Sequence, residues 1–115
     1  MLFRSVAGLP AGLPGADPAG WWPTSRAQAL AQLDHVITRV LPGFGPYEDA
    51  MSADNWHLAH TLLSAPLNLG LLLPDEVLDR IDAAYHAGGV PLASAEGLVR
   101  QILGWREYEI GRAHV

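Results

Sequence analysis

Between Ser25 and about Leu41 apolar residues recur three and four positions apart, with Leu30, Leu33, Ile37, Val40 and Leu41 on one stripe. That period predicts an amphipathic helix, with Thr24 as its N-cap and Pro42-Gly43 as its end. From Phe44 to Asn55 the period is lost, and Gly45, Pro46 and three acids make this stretch a loop with one helical turn. His57 to Leu73 is apolar, with polar breaks at His60-Thr61 and Ser64 and interruptions at Pro66 and Gly70. Proline is tolerated in the first turn of a helix but not in its middle, so a short helix is expected from near Ser64 to near Gly70. Pro74-Asp75-Glu76 opens the clearest helix: proline and two acids suit a first turn, and Val77, Leu78, Ile81, Ala84 and Tyr85 form its stripe. Gly88-Gly89 supplies its C-cap. A last helix is expected from about Ala93 to Tyr108, with Leu98, Val99, Ile102, Leu103 and Trp105 turned inward.

Residues 6–23 are punctuated by Gly8, Pro10, Gly12, Pro14, Gly15, Pro18 and Gly20, and read as a loop or linker. Trp21-Trp22-Pro23 ends it, and at least one of the two adjacent indoles is expected to dock, on the first helix or on a neighbour. Strand signals are nearly absent and no internal repeat is visible. The expected fold is all-α, with four or five helices.

Composition narrows this picture. The chain has 115 residues, which is one domain at most, and half of them are hydrophobic, which argues against disorder. With no cysteine, disulfides, Cys-ligated zinc and Cys-held iron–sulfur clusters are excluded within these residues. No apolar run approaches the ~18–20 residues needed to span a bilayer, so a soluble, cytoplasmic chain is expected. The formal charge is −5, and the seven basic residues are all arginine. A net-acidic chain lacks the electrostatic footprint for coating nucleic acid or an anionic membrane.

Two segments carry chemistry. In His60-Thr61-Leu62-Leu63-Ser64-Ala65-Pro66, hydroxyls precede a helix start, where unpaired N–H groups make an anion site suited to phosphate. Simple capping by Ser64 is the competing reading, and local pattern alone favours it. In Arg100-Gln101-Ile102-Leu103-Gly104-Trp105-Arg106-Glu107-Tyr108, arginines could pair phosphate and an indole could stack on a ring. The competing reading is an ordinary amphipathic helix, against which Gly104 counts mildly, since glycine in a helix costs ~1 kcal/mol relative to alanine. His57 and His60 have a spacing that can share a metal, but no further ligands match it, and no metal site is expected. Ser64, Asp49 and His60 could be written as a triad, yet no nucleophile-elbow pattern flanks the serine, so acyl transfer is not supported.

Three segments then occur in order: Phe44-Gly45-Pro46-Tyr47-Glu48-Asp49-Ala50-Met51, Leu62-Leu63-Ser64 with Leu67-Asn68-Leu69-Gly70-Leu71-Leu72-Leu73-Pro74, and Glu96-Gly97-Leu98-Val99-Arg100-Gln101-Ile102-Leu103-Gly104-Trp105-Arg106-Glu107-Tyr108. Together they resemble the deoxyribodipyrimidine photolyase-related group, the iron–sulfur bacterial (6-4) photolyases and cryptochromes, from about Trp22 to Tyr108. The resemblance implies a partial helical FAD-binding domain of the photolyase/cryptochrome fold, within a protein that reverses pyrimidine photoproducts in damaged DNA by light-driven electron transfer from reduced FAD. On it, His60, Thr61, Leu63 and Ser64 match the loop that holds the FAD phosphates, and Tyr47 matches a flavin-contacting tyrosine. Asn68, in the same matched stretch, joins the cofactor-binding set. Trp105-Arg106-Glu107-Tyr108 matches the motif at the floor of the lesion pocket. There Trp105 would stack on the flipped-out lesion, Arg106 would anchor FAD or an internal carboxylate, and Gln101 would hydrogen-bond a base or flavin edge. Many photolyases carry a glutamate three residues before that tryptophan; here the position is Ile102.

The resemblance also implies what lies outside this chain: an antenna domain with its chromophore, four cysteines for a 4Fe-4S cluster after the Trp-Arg-Glu-Tyr motif, and downstream helices that close the flavin pocket. Residues 24–108 are therefore expected to be a fragment of the catalytic domain of a bacterial DNA lyase, inactive alone and unable to hold FAD tightly. Residues 1–5 and 109–115 resemble translated sequencing-adapter sequence and are expected to be non-native tails. Without them five arginines face eleven acids, so the acidity belongs to residues 6–108. A light-signalling cryptochrome of the same family is the second reading, and a cofactor-free helical module the third. No protein partner can be inferred.

Overall fold

The computed structural model describes residues 21–106 and 108, with only the backbone of Trp105; the expectations for residues 1–20, Glu107 and 109–115 lie outside the described residues. Among the described residues there is helix and turn and no strand, as the all-α reading predicts.

Helix α1, Arg26–His35, begins one residue later than expected. Ser25, not Thr24, is the N-cap, and its hydroxyl accepts the Gln28 N–H at 3.3 Å. The Gln28 side chain reaches back past the cap, so that Thr24 donates to it through both N–H (2.9 Å) and hydroxyl (3.1 Å). This is a capping box displaced by one residue, which satisfies two orphan donors reciprocally. α1 continues as a π-helical turn over Val36–Val40 and a 3-10 turn over Leu41–Gly43. The widening has a local cause: the Thr38 hydroxyl donates to the Asp34 carbonyl at 2.8 Å and competes with the helix's own ladder.

A second 3-10 turn, Gly45–Tyr47, follows, and an extended loop leads to helix α2, Ser64–Asn68. Helix α3, Pro74–His86, is capped as its sequence promises. The Glu76 carboxylate accepts the Leu73 N–H at 3.1 Å. At the far end Gly88, at φ +78°, takes the left-handed position of a Schellman turn, with its N–H on Tyr85 O and that of Gly89 on Ala84 O. Helix α4, Leu92–Arg100, continues as a π turn over Gln101–Trp105.

Ala29, Leu33, Val36, Leu41, Phe44, Leu63, Leu67, Leu72, Val77, Ile81, Val90, Ala95, Leu98 and Ile102 form one core. The expected stripes depart from it at two places. Tyr85 is half-exposed and meets His86 edge-on, so the α3 stripe ends at Ala84. Leu103 is exposed, because the π turn holds more residues per turn than an α-helix and rotates positions after Ile102 off the stripe.

Two ion pairs, Arg26–Glu76 and Asp34–Arg80, lie along the outside of the α1–α3 contact. Arg26 also donates to Leu71 O at 3.0 Å, tying α1 to the chain that enters α3. Its hydrogen bonds hold the Glu76 carboxyl below the ordinary carboxylate range, a shift that desolvation partly opposes. A carboxyl depressed in the fold adds stability above its unfolded pKa, and that contribution is lost as pH falls through the folded value. Urea midpoints are expected to drop between pH 6 and pH 3, with a smaller drop in Glu76→Gln. Equal drops in the two proteins would refute the linkage.

Candidate functional site

The turn Gly45–Tyr47 rests on the first turns of α4 with no side chain between them. A Cβ at Gly45 would stand 3.0 Å from the Ser94 backbone nitrogen and 3.1 Å from the Ala93 carbonyl carbon. The Gly45 N–H donates to the Ser94 hydroxyl at 2.9 Å, which gives that buried polar side chain its partner. One turn later the Glu48 carboxylate lies against bare backbone at Gly97, where a Cβ would fall 2.4 Å from Oε2. Two glycines on two segments thus let the loop carry Tyr47 onto α4, where Tyr47 is exposed.

The loop before α2 is held by its own polar groups. The Asn55 side-chain carbonyl accepts the N–H groups of His57 and Leu58, and the His60 N–H donates to His57 O at 2.7 Å. Leu58 (φ +37°) and Leu62 (φ +56°) both take left-handed backbone, a conformation that costs a non-glycine residue ~1–2 kcal/mol. A clamp from α1 offsets this at Leu62, where Gln32 Nε2 donates to Leu62 O at 2.9 Å and to Thr61 O at 3.4 Å.

His60 and Thr61 are half-buried, and the Thr61 hydroxyl accepts the Leu63 N–H at a long 3.5 Å. The N-cap of α2 is Leu63, whose side chain is in the core and makes no cap hydrogen bond. Ser64 is therefore the first helical residue, exposed, and the simple capping reading is not what forms. The first bond that closes this helical turn runs from Leu67 N–H to Leu63 O, so the Ser64 and Ala65 N–H groups precede any intrahelical acceptor.

Arg106 joins the two motif segments. It is half-buried at the end of the π turn, and its Nη1 donates to Asn68 Oδ1 at 3.3 Å. The meeting point is the C-terminal end of α2, not the Ser64 end. Gln101 is half-buried on the same π turn, whereas Arg100 turns away, exposed and paired with Glu96. The side chain of Trp105 lies outside the described residues. Gly104 has nothing within 4 Å of its missing Cβ, so no described neighbour requires glycine there. π turns are rare but frequently fall at functional sites, and here one coincides with the Gln101–Arg106 motif.

Among the described residues no three histidines, cysteines, aspartates or glutamates gather as a metal site. His57 packs against Trp56 and Trp21 with ring centroids 5.3 and 6.0 Å apart, and Trp21 and Trp22 both rest on Trp56. No described helix is long and apolar enough to cross a membrane. The sequence reading passed over the roles of Glu48, Gly97, Ser94 and Gln32. The paired glycines at 45 and 97 were the available signal.

The chain is 45% identical over 87 residues to a (6-4) photolyase of Agrobacterium fabrum; the match covers 76% of this chain and 17% of that protein. It is also 41% identical over 63 residues to an uncharacterized protein of Acanthamoeba polyphaga mimivirus, covering 54% of this chain and 48% of that one. No protein-family model matches the chain. The chain thus spans about a sixth of the photolyase and about half of the viral protein.

The contacts at the two glycines differ in kind. Gly97→Ala meets only the movable end of a glutamate, so its cost is expected to vanish in a Glu48→Ala background. Gly45→Ala meets backbone and is expected to cost about 1–3 kcal/mol in either background. A double-mutant cycle on urea stability reads both; an unchanged Gly97→Ala cost without Glu48 would contradict the contact.

Proposed function

We propose that this chain supplies part of the FAD-binding face of a photolyase-type flavoprotein that repairs pyrimidine photoproducts in DNA. The observation that carries the reading is the Arg106–Asn68 hydrogen bond, which joins two segments that are 38 residues apart in sequence. Their motifs share the order seen in the photolyase-related group, and the similarity to the Agrobacterium (6-4) photolyase gives independent support. Finer assignments, including the (6-4) lesion class, the iron–sulfur subfamily and a bacterial cytoplasmic location, rest on the motif resemblance.

The donor set fits a phosphate-bearing cofactor. Ser64 offers a hydroxyl and an N–H without an intrahelical acceptor, Ala65 a second N–H, and Arg106 a permanent cation one short helix away. The backbone at Leu63 would lie along the phosphates, its side chain being committed to the core. Thr61 and His60 would add a hydroxyl and a ring nitrogen from the clamped loop. Asn68 would hold the Arg106 guanidinium in place, leaving further N–H groups for a phosphate or carboxylate. Tyr47 and Gln101 would meet the flavin or a base edge, and Trp105 would stack on an extruded lesion. When bound, reduced FAD supplies the light-excited electron; the part of this chain is to grip, orient and desolvate. Residues 1–5 and 109–115 take no part in this reading.

The 115-residue chain by itself is expected to purify colourless and to show no stoichiometric flavin in equilibrium dialysis. Its residues 22–108, exchanged for the matching segment of the Agrobacterium photolyase, are expected to yield a chimera that retains FAD. Arg106→Ala in that chimera is expected to weaken flavin retention at least tenfold while helix content is kept. A folded but flavin-free chimera would overturn the reading. A chimera that photoreduces its flavin without repairing DNA would favour the light-signalling alternative.

A further inference from the structure

A second polar and aromatic site is built on the Gln32 that clamps Thr61 and Leu62, from residues outside the set assigned to FAD. Trp21, Trp22, Pro23, Gln28 and Gln32 line a cleft of about 190 Å³, and none of these described lining residues is charged. This is smaller than the ~300 Å³ at which drug-sized pockets begin, so it suits a single small ring system. Both indoles are exposed, Trp21 by 59% and Trp22 by 41%. Trp56 packs against both, with centroids 5.9 Å from Trp21 and 6.4 Å from Trp22. Ring contacts hold these indoles, with no hydrogen bond from either indole N–H among the described residues.

The two carboxamides sit four residues apart on α1 and share a face. Each has one half of its amide already committed. Gln28 Oε1 accepts from Thr24 N–H and hydroxyl, which leaves its Nε2 as a donor. Gln32 Nε2 is spent on Leu62 O and Thr61 O, which leaves Oε1 as an acceptor, buried and without a donor among the described residues. A buried acceptor without a partner costs ~1–3 kcal/mol, and an incoming donor would recover part of that.

We propose that this cleft binds a planar heterocycle with a lactam edge, a ring C=O beside a ring N–H, as in uracil and thymine. The ring stacks on Trp22 and Trp21, its N–H donates to Gln32 Oε1, and its carbonyl accepts from Gln28 Nε2. The absence of a cation among the described lining residues and the chain's charge of −5 favour a neutral nucleoside over a polynucleotide as the source.

The test follows the indole N–H resonances of Trp21 and Trp22 in the whole chain as uridine is added. Saturable shifts at both are expected, with 3-methyluridine, which lacks the ring N–H, binding at least tenfold more weakly. Gln32→Leu is expected to erase the difference between the two nucleosides. Gln28→Leu, which leaves the Gln32 clamp intact, is expected to weaken uridine several-fold and thus covers a failure of the first variant to fold. Oligothymidylate of eight residues binding no tighter per base than uridine identifies a free nucleoside as the source; much tighter binding identifies a nucleic-acid strand, and either outcome supports the lactam site. Non-saturating shifts with every probe, or equal binding of uridine and 3-methyluridine, would overturn it.

Discussion

Everything around the candidate site depends on how closely the Gly45 turn approaches α4. A hydrogen bond from backbone to the buried Ser94 hydroxyl fixes the register, and the missing Cβ at Gly45 makes the distance possible. Buried polar groups must find partners, and here each supplies the other's. The same approach brings the Glu48 carboxylate over Gly97 and accompanies the burial of Phe44 in the core that Leu98 and Ile102 share. A larger residue at Gly45 would lift the whole loop, and with it Tyr47, off the helix that carries Gln101 and Arg106.

From that anchor the π turn after Arg100 does the rest. An uninterrupted α-helix would keep Leu103 near the apolar stripe; the wider turn exposes Leu103 and leaves Arg106 within reach of Asn68. The photolyase-like motif thus falls where helix geometry changes. This is also where a helix can present several polar side chains without losing its core contact at Ile102.

Much of the architecture was legible because local signals agreed with one another. Pro74, Asp75, Glu76, the apolar stripe and Gly88-Gly89 all point to one helix, and Pro74–His86 is that helix. The short α2 could be bounded by Pro66 and Gly70 for the same reason. The cap at Ser25 was missed by one residue because Thr24 and Ser25 are chemically equivalent candidates, and only the reach of Gln28 separates them. The exposure of Leu103 was illegible, since a π turn breaks the period on which the stripe is counted. Of the site, the polar residues at 60, 61, 64 and 106 could be named from sequence. The pairing of Arg106 with Asn68, the Gln32 clamp and the Ser94 contact are long-range, and no local pattern encodes them.

Convergence of the α2 segment with the end of the α4 rod is the claim on which the functional reading stands. Because the chain has no cysteine, a single nitroxide can be placed at will. Attached at Leu69→Cys, an exposed position beside Asn68, it should broaden the amide resonances of Gln101 to Arg106 in the folded chain. Sharp, unperturbed resonances across those residues, with the fold intact, would contradict the convergence and the shared site with it.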